Sequence, residues 1–539
     1  MKATANRRAF LKTASAAGLA AAAAPIAHAG TVSPGRVKKW DMTVDIAVIG
    51  YGAAGANAAL TGARAGNTVC ILEKAPHHGG NSGVNLGGII LPKTLEDAKR
   101  LYANYSFDAV SPEDIEGFAK QMISVPEYLA SIGFDKLKYR DRNPTFPNLA
   151  KGIRMTGTVL KPTGKGAMDA FKALIDAEKN VTTLFSTPAT AIVQHEDGEV
   201  IGVIAKSGGK TLSIKARKGV VLCCGGYENN RKMIANFNYP GIAEWLFPCG
   251  TPYNTGDGVK MAISCGADLW HFPSLEWSGF CSLEASKATG VAVPLPFFGL
   301  YGKNYIYVNK YGKRFMKDTQ WLMHTKEPIS AINFSNGGAG MEGRPKATEF
   351  SNMPPWLVFD ETTRLKGPVC ANSTDTTETR GDLYWYSVVH KLYDWSQDNS
   401  REIEKGWILK ADTVGELAEK MSVPREALEK TVSDYNSYCE KGEDPEFQRE
   451  KKNLLPVKTG PFYAMRVGLA MINTQGGPRR NAKGQILDTE GKPIPRLYGA
   501  GELGSFFGFL YQGANNYPEA IITGHCAADE ISRLAPHRY

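Results

Sequence analysis

The chain has 539 residues, 43% hydrophobic, 22% charged and 10% aromatic, a composition that excludes a disordered polymer and allows a large core. Its formal charge is +9, but Lys2, Arg7, Arg8 and Lys12 sit in the first 29 residues and leave +5 on the rest, too mild a balance for a nucleic-acid binder. No stretch approaches the roughly 20 strongly apolar residues that a stable membrane span needs.

Residues 1–29 read as a targeting segment. NRRAFLK (6–12) is followed by an Ala-rich, weakly apolar run and an A-H-A ending, the pattern of a twin-arginine export signal with cleavage after Ala29. The expected destination is the periplasm or another extracytoplasmic space, reached by an already folded protein. Residues 30–43 form a Pro/Gly-bearing linker.

VDIAVIG (44–50) is an apolar run of strand length, GYGAAG follows, then the Ala-rich ANAALTGARAG, then TVCILEK (68–74). This is strand, turn, helix, strand. Gly50, Gly52 and Gly55 form G-x-G-x-x-G at the strand-to-helix turn. The first permits the tight turn, the second lets backbone approach a pyrophosphate, and the third lets helix and strand pack. The helix N-terminus favours the phosphates. Glu73 lies 23 residues after Gly50, where a carboxylate accepts from ribose hydroxyls. The Gly-rich, Asn/Ser-bearing loop APHHGGNSGVNLGG (75–88) suits an extended FAD.

Residues 94–135 read mostly as helix, with Ser111 as a cap and Pro112 in the first turn. Residues 181–224 read as strands, with hairpin turns at Asp197-Gly198 and Gly208-Gly209. Residues 290–455 carry more aromatics, charges and irregular loops, with helical periodicity at 413–440. SNGGAG (335–340) lacks a preceding strand and reads as a loop. From 456 the Gly-rich, apolar style returns. The expected organisation is one nucleotide-binding domain in two segments, 44–289 and 456–539, with a domain inserted at 290–455. Nine scattered cysteines, with no C-x-x-C, support neither a disulfide framework nor a metal site; an iron–sulfur cluster has no positive support.

Several motifs occur together: GYGAAG…ILEK, GGNSGVNLGG, VVLCCGGYENN, NTGDGVKMA, YVNKYGKRF, NTQGGPRRNAKGQILDTEGKPIPRLYGAGE and NNYPEAIITG. Over residues 44–530 the chain resembles the fumarate reductase/succinate dehydrogenase flavoprotein family, which includes flavocytochrome-type fumarate reductases and 3-ketosteroid Δ1-dehydrogenases. The resemblance implies an α/β fold, a Rossmann-like FAD-binding domain in two sequence segments with an inserted α+β capping domain. It implies that Glu73 holds the adenosine ribose, and that Asn81, Ser82, Gly87 and Gly88 line the pyrophosphate and flavin ring. Ala189 or Ala191 would meet the adenine by backbone, with Ala191 preferred. Asp257 and Glu502 would bind on the ribityl side. Ala54, Lys74, Gly225, Asn473, Asn516 and Pro518, within the same motifs, complete the implied cofactor set. Some relatives attach FAD to a histidine in the GGNS-type loop; positions 81–88 hold none, so non-covalent FAD is implied. His77 and His78, just before it, read as solvated loop residues.

GELGSFFGFLYQGANNYPEA (501–520) contains no Lys or Arg. In the family this segment walls the substrate site, and fumarate reductases place an Arg there to clamp a carboxylate. That position is Gln512, the motif's His is Gly508, and the His preceding a T-M-G-G element becomes Asn473. The run from Arg314 to Leu322 lacks the Arg that delivers the proton. The aromatics Phe506, Phe507, Phe509 and Tyr511 then suggest a neutral, flat, conjugated reactant. The expected reaction reduces an activated C=C bond of an enone-type small molecule by hydride transfer from flavin N5. Tyr511 is the candidate acid, Gln512 a candidate carbonyl polariser, and His324 the imidazole near the missing Arg. Each also has a packing role open to it. Arg314 reads as a domain-interface ion-pair residue. With one nucleotide fingerprint and no haem motif, electrons would come from a separate cytochrome or quinol-linked protein. Two alternatives stand: desaturation of the 3-ketosteroid Δ1-dehydrogenase kind, with FAD as hydride acceptor, and a flavin electron-transfer subunit.

Overall fold

The computed structural model describes residues 30–238, 241–296, 300, 302–319, 334–335, 349–350, 352–370, 393–508 and 510–539. The expected export signal at 1–29, His324 and Phe509 lie outside the described residues, as does most of SNGGAG.

The molecule is organised on a nine-stranded sheet. Met42–Ile49 and Val69–Leu72 run parallel, Ile46 opposite Val69. Near-continuous apolar runs of this kind suit strands covered on both faces. Lys210–Leu222 flanks the other side, Val220 opposite Ala47, and Pro493–Gly499 joins it in parallel, Leu497 opposite Val220. Both ends of the chain therefore build one sheet. Lys210–Leu222 begins as the antiparallel partner of Val200–Ser207 and shifts register between Ala216 and Gly219 to enter the parallel part. Both expected hairpin turns form, with Gly198, Gly208 and Gly209 at φ of +90°, +53° and +80°, the left-handed region such turns require.

The helix Ala53–Arg64 buries ten of its twelve residues. The final helix, Asn516–Ser532, lies against it so closely that a Cβ at Gly524 would sit 2.1 Å from the Ala54 carbonyl oxygen. The 94–135 stretch is two helices, Leu95–Ser106 and Pro112–Ser131. Thr94 and Ser111 cap them by accepting from the Asp97 and Asp114 N–H groups.

A six-stranded sheet is built around Phe462–Thr474, which pairs with Leu246–Pro248, Leu275–Ser282, Trp356–Asp360 and Ile408–Ala411; Tyr305–Val308 adds to Trp356–Asp360. The expected domain limits at 289 and 456 cut across this sheet. They followed a change in residue texture, and texture does not reveal which strands pair. The helices Val414–Met421 and Arg425–Lys441 occupy the stretch with helical periodicity. Arg314 is not at a domain interface but inside this region. Its guanidinium donates to Asp318 at 2.7 Å and Asp444 at 2.8 Å and lies 4.9 Å from the ring centres of Tyr435 and Phe447. Among the described residues no helix is long and apolar enough to cross a membrane, no cluster of His, Cys, Asp or Glu is placed to hold a metal, and all nine cysteines are free thiols.

Candidate active site

The C-terminal ends of Met42–Ile49, Val69–Leu72 and Lys210–Leu222 open on a cavity of about 730 Å³, the position where open parallel sheets bind ligands. Gly50 adopts φ +104°, and a Cβ there would sit 2.3 Å from the Cys223 carbonyl oxygen. A Cβ on Gly55 would lie 1.9 Å from the Gly50 oxygen. Gly55 is therefore a packing glycine behind the wall, while Gly50, Gly52 and Ala54 line it. The first helical N–H, of Ala53, donates to the Ser82 hydroxyl at 3.0 Å, which brings Ser82 to the helix N-terminus, the anion-favouring corner.

Glu73 is buried at the end of its strand, its two oxygens accepting from the N–H groups of Tyr51 at 2.7 Å and Ala75 at 2.6 Å. Burial raises its pKa while those two N–H groups oppose the rise. Lys74 donates to Asp257 at 2.7 Å and to Thr255 at 2.7 Å. Burial pushes the Asp257 carboxyl up, but Lys74 and the other partners outweigh it, and the pKa ends below the usual range. Asn81 spans Glu228 and Glu502, with its Oδ1 accepting from the Thr251 N–H at 2.9 Å. Gly225 takes φ +64° and leaves room for Asn254, whose Nδ2 would be 2.6 Å from a Cβ there. Gly88, Asn473 and Asn516 also line the cavity.

Three expected cofactor positions move. Ala191 is buried in its strand, and the wall is made by Pro188 and Ala189 instead. Gly87 is packed against the Leu160 carbonyl oxygen, 2.5 Å from where a Cβ would stand, and lies one layer behind the lining, as does buried Pro518. The remaining set suits an extended dinucleotide: a glycine turn at a helix start, an acid for the ribose, and amides along the path. Cavity-lining Thr251 and Asn516 carry buried oxygens, Oγ1 and Oδ1, with no partner inside the protein, atoms that call for a ligand.

In 501–520 the structure separates residues of similar expectation. Tyr511 lines the cavity; its hydroxyl oxygen accepts from the N–H groups of Asn515 at 3.0 Å and Asn516 at 3.2 Å, and burial pushes the phenol pKa up. Gln512 does not line it. Fully buried, its Oε1 accepts from the Thr145 N–H at 3.0 Å and from the Tyr105 hydroxyl at 3.3 Å, and its Nε2 donates to the Thr145 hydroxyl at 2.9 Å. Gln512 is a structural cross-link, not a carbonyl polariser. Phe506 and Phe507 do not face the cavity either: Phe506 stacks on Phe118 at 4.6 Å, and Phe507 meets Tyr102 edge-on at 5.9 Å. His78 is less solvated than expected, bonded to Asp169 at 2.9 Å and leaning on Tyr51 at 5.6 Å between ring centres.

Several residues had no sequence signal. Asn143 and Thr145 line the cavity from the loop that follows the strand Arg140–Arg142. His271 holds the 505–508 turn, its Nδ1 donating to the Ser505 carbonyl at 2.8 Å, and burial drives its pKa down to about 4. Glu228 is the exception: an acid shortly after two glycines in VVLCCGGYENN was a signal, although its burial was not readable from the sequence.

Residues 45–517 match the family described as FAD binding domain. The 3-oxosteroid 1-dehydrogenase of Mycolicibacterium smegmatis is 28% identical over 91% of this chain and 97% of its own length. The NADH:acrylate oxidoreductase of Vibrio harveyi is 27% identical over 92% of this chain but only 51% of its own length. The 3-ketosteroid Δ1-dehydrogenase of Sterolibacterium denitrificans, solved with 1,4-androstadiene-3,17-dione, superposes with a TM-score of 0.70 over 91% of this chain and 99% of that one, at 22% identity.

Proposed function

We propose a function from one premise: this chain belongs to the FAD binding domain family. It is an FAD-dependent oxidoreductase acting on CH–CH or C=C bonds. In our reading it reduces the activated C=C bond of a neutral, enone-type molecule, with electrons from a separate cytochrome or quinol-linked protein. The observation that carries this reading is the charge of the cavity. Its charged lining is Glu73, Lys74, Asp257 and Glu502, with Lys74 already paired to Asp257. Among the described residues no arginine or histidine lines it. A dicarboxylate would enter without a guanidinium partner, and each charge-assisted hydrogen bond forgone costs about 1.5–3 kcal/mol. The Gln512 amide, at the position where the family resemblance implies such a cation, is spent on Thr145 and Tyr105.

When bound, FAD supplies the hydride donor or acceptor. The chain's part is to hold the reactant in the cavity that Tyr511 lines and to move the proton. Our reading takes FAD as non-covalent, since no described histidine lines the cavity; acid precipitation would then release it into the supernatant. Desaturation of a saturated 3-ketone is the second reading, favoured by the M. smegmatis relative that matches over nearly its whole length. Anaerobic stopped-flow separates the two. Rapid reoxidation of the dithionite-reduced protein by neutral enones, with fumarate inert, is the expected result. Bleaching of the oxidised protein by saturated 3-ketones would favour the second reading, and efficient fumarate turnover would overturn both. A protein that passes electrons but handles neither substrate would be the electron-transfer subunit.

Export is proposed from Arg7-Arg8 and the Ala-rich run that follows. Replacing both arginines by lysine is expected to leave the chain in the cytoplasm, uncleaved. Unchanged fractionation of that variant would refute it.

A further inference from the structure

Building on the FAD reading above, we infer that Glu228 and Glu502 form a proton-holding pair beside the cofactor cavity, so that FAD binds with uptake of about one proton from solvent. A single NH2 group spans both carboxylates. Asn81 Nδ2 donates to Glu228 Oε1 at 2.7 Å and lies 3.5 and 3.4 Å from the two oxygens of Glu502. Asn254 Nδ2 donates to the same Glu228 oxygen at 2.8 Å. Glu228 is 1% exposed, and Glu502 lines the cavity.

The pair has no counter-ion among the described residues. Among the described residues no lysine, arginine or histidine forms an ion pair with either acid. Around them stand Asn473 and Thr474, which are neutral, and Glu519, whose charge is already matched by Arg480 at 2.8 Å. The other charges on the cavity wall are Glu73 and the Lys74–Asp257 pair. Two carboxylates this close, out of water, do not both ionise. Burial first, against several hydrogen bonds, pushes Glu228 up to about 7; burial and then the Glu228 charge push Glu502 well up.

A dinucleotide brings a doubly negative pyrophosphate into the same cavity. Its field acts against the ionised pair and favours the protonated form. The balance is simple: one proton passes from solvent to a carboxylate oxygen, no bond to the cofactor forms and no electron moves. By linkage, whatever binds with proton uptake binds more weakly as pH rises. The affinity for FAD is therefore greatest below the pKa values of the free pair and declines above them.

Equilibrium dilution of the full holoprotein, read by the fluorescence of released FAD, tests this between about pH 7 and about pH 9. The dissociation constant of the native protein is expected to rise several-fold per pH unit, up to a limit of about tenfold. In Glu228→Gln the rise is expected to be distinctly smaller than in the native protein, because one neutral amide removes the repulsion between the two carboxylates while burial still acts on Glu502. Glu502→Gln should flatten the profile in the same way, so a poorly folding Glu228→Gln leaves two measurements standing. A pH-independent constant in the native protein overturns the inference, as does retention of the native slope by both variants. A chain that binds no FAD at any pH instead removes the reading beneath it, so the two failures are distinct.

Discussion

Replacing Arg480 by methionine is expected to cost roughly 3–5 kcal/mol of stability and to strip the protein of FAD. Arg480 is fully buried, and each of its three guanidinium nitrogens has a target. Nε donates to the Gly504 carbonyl at 2.9 Å, Nη1 to Gly499 at 2.9 Å, and Nη2 to Gly501 at 2.7 Å and to Glu519 at 2.8 Å. Glu519 in turn accepts from the Ser505 hydroxyl at 2.7 Å and the Phe506 N–H at 3.0 Å. One guanidinium thus ties the strand Pro493–Gly499, the 501–506 turn and the final helix into one body. Methionine fills much of the space but leaves Glu519 an unmatched buried charge and three carbonyls without donors, the costly half of a buried pair. Lysine keeps the charge but not the fork, and an intermediate loss is expected. Removing the partner as well, in Arg480→Met/Glu519→Gln, should recover part of the stability. Thermal unfolding and the flavin-to-protein absorbance ratio measure both effects. A melting curve for Arg480→Met indistinguishable from the native one would show the pair to be ornamental.

What the sequence disclosed of this site follows a physical division. Gly50, Gly52, Gly55 and Glu73 were readable because a strand, a tight turn and a helix impose their requirements within a few residues. Glu73 and Lys74 follow from where the second strand ends. Ala191 was misplaced by two residues because register at a strand end is set by pairing with Val200–Ser207, not by local pattern. Phe506 and Phe507 looked like a substrate wall, yet they pack on Tyr102 and Phe118 from helices some 400 residues earlier in the chain. Gln512 aligned with a substrate-binding position, but alignment does not say that Thr145 waits behind it. Arg479 and Arg480 are indistinguishable in sequence; only the fold exposes the first, 3.5 Å from Asp268, and buries the second. Local requirements are written locally, whereas the direction of a side chain within a loop is decided by whatever distant element arrives against it.

Tyr511→Phe is expected to lower substrate turnover by about 10²–10⁴-fold while FAD stays bound. The phenol lies in the cavity wall, and burial keeps it protonated at any working pH. Its oxygen accepts from two backbone N–H groups, at 3.0 and 3.2 Å, at the start of the final helix. Those donors and the helix dipole steady the oxygen at the moment it gives up a proton, the role of a preorganised electrostatic site. Phenylalanine preserves the ring and its edge-on contact with Phe507 at 5.3 Å but removes the proton. It also leaves the Asn515 and Asn516 N–H groups without their acceptor, so some stability will be lost with the activity. The two losses are separable by stopped-flow at equal flavin occupancy. Reduction of the bound flavin by dithionite involves no proton from Tyr511 and should be unaffected, whereas reoxidation by an enone should slow by the full factor and lose its solvent deuterium isotope effect on that proton. If both half-reactions run at the native rate, Tyr511 only anchors the helix and the proton comes from elsewhere. If both slow together, the residue positions the cofactor and has no part in the proton transfer.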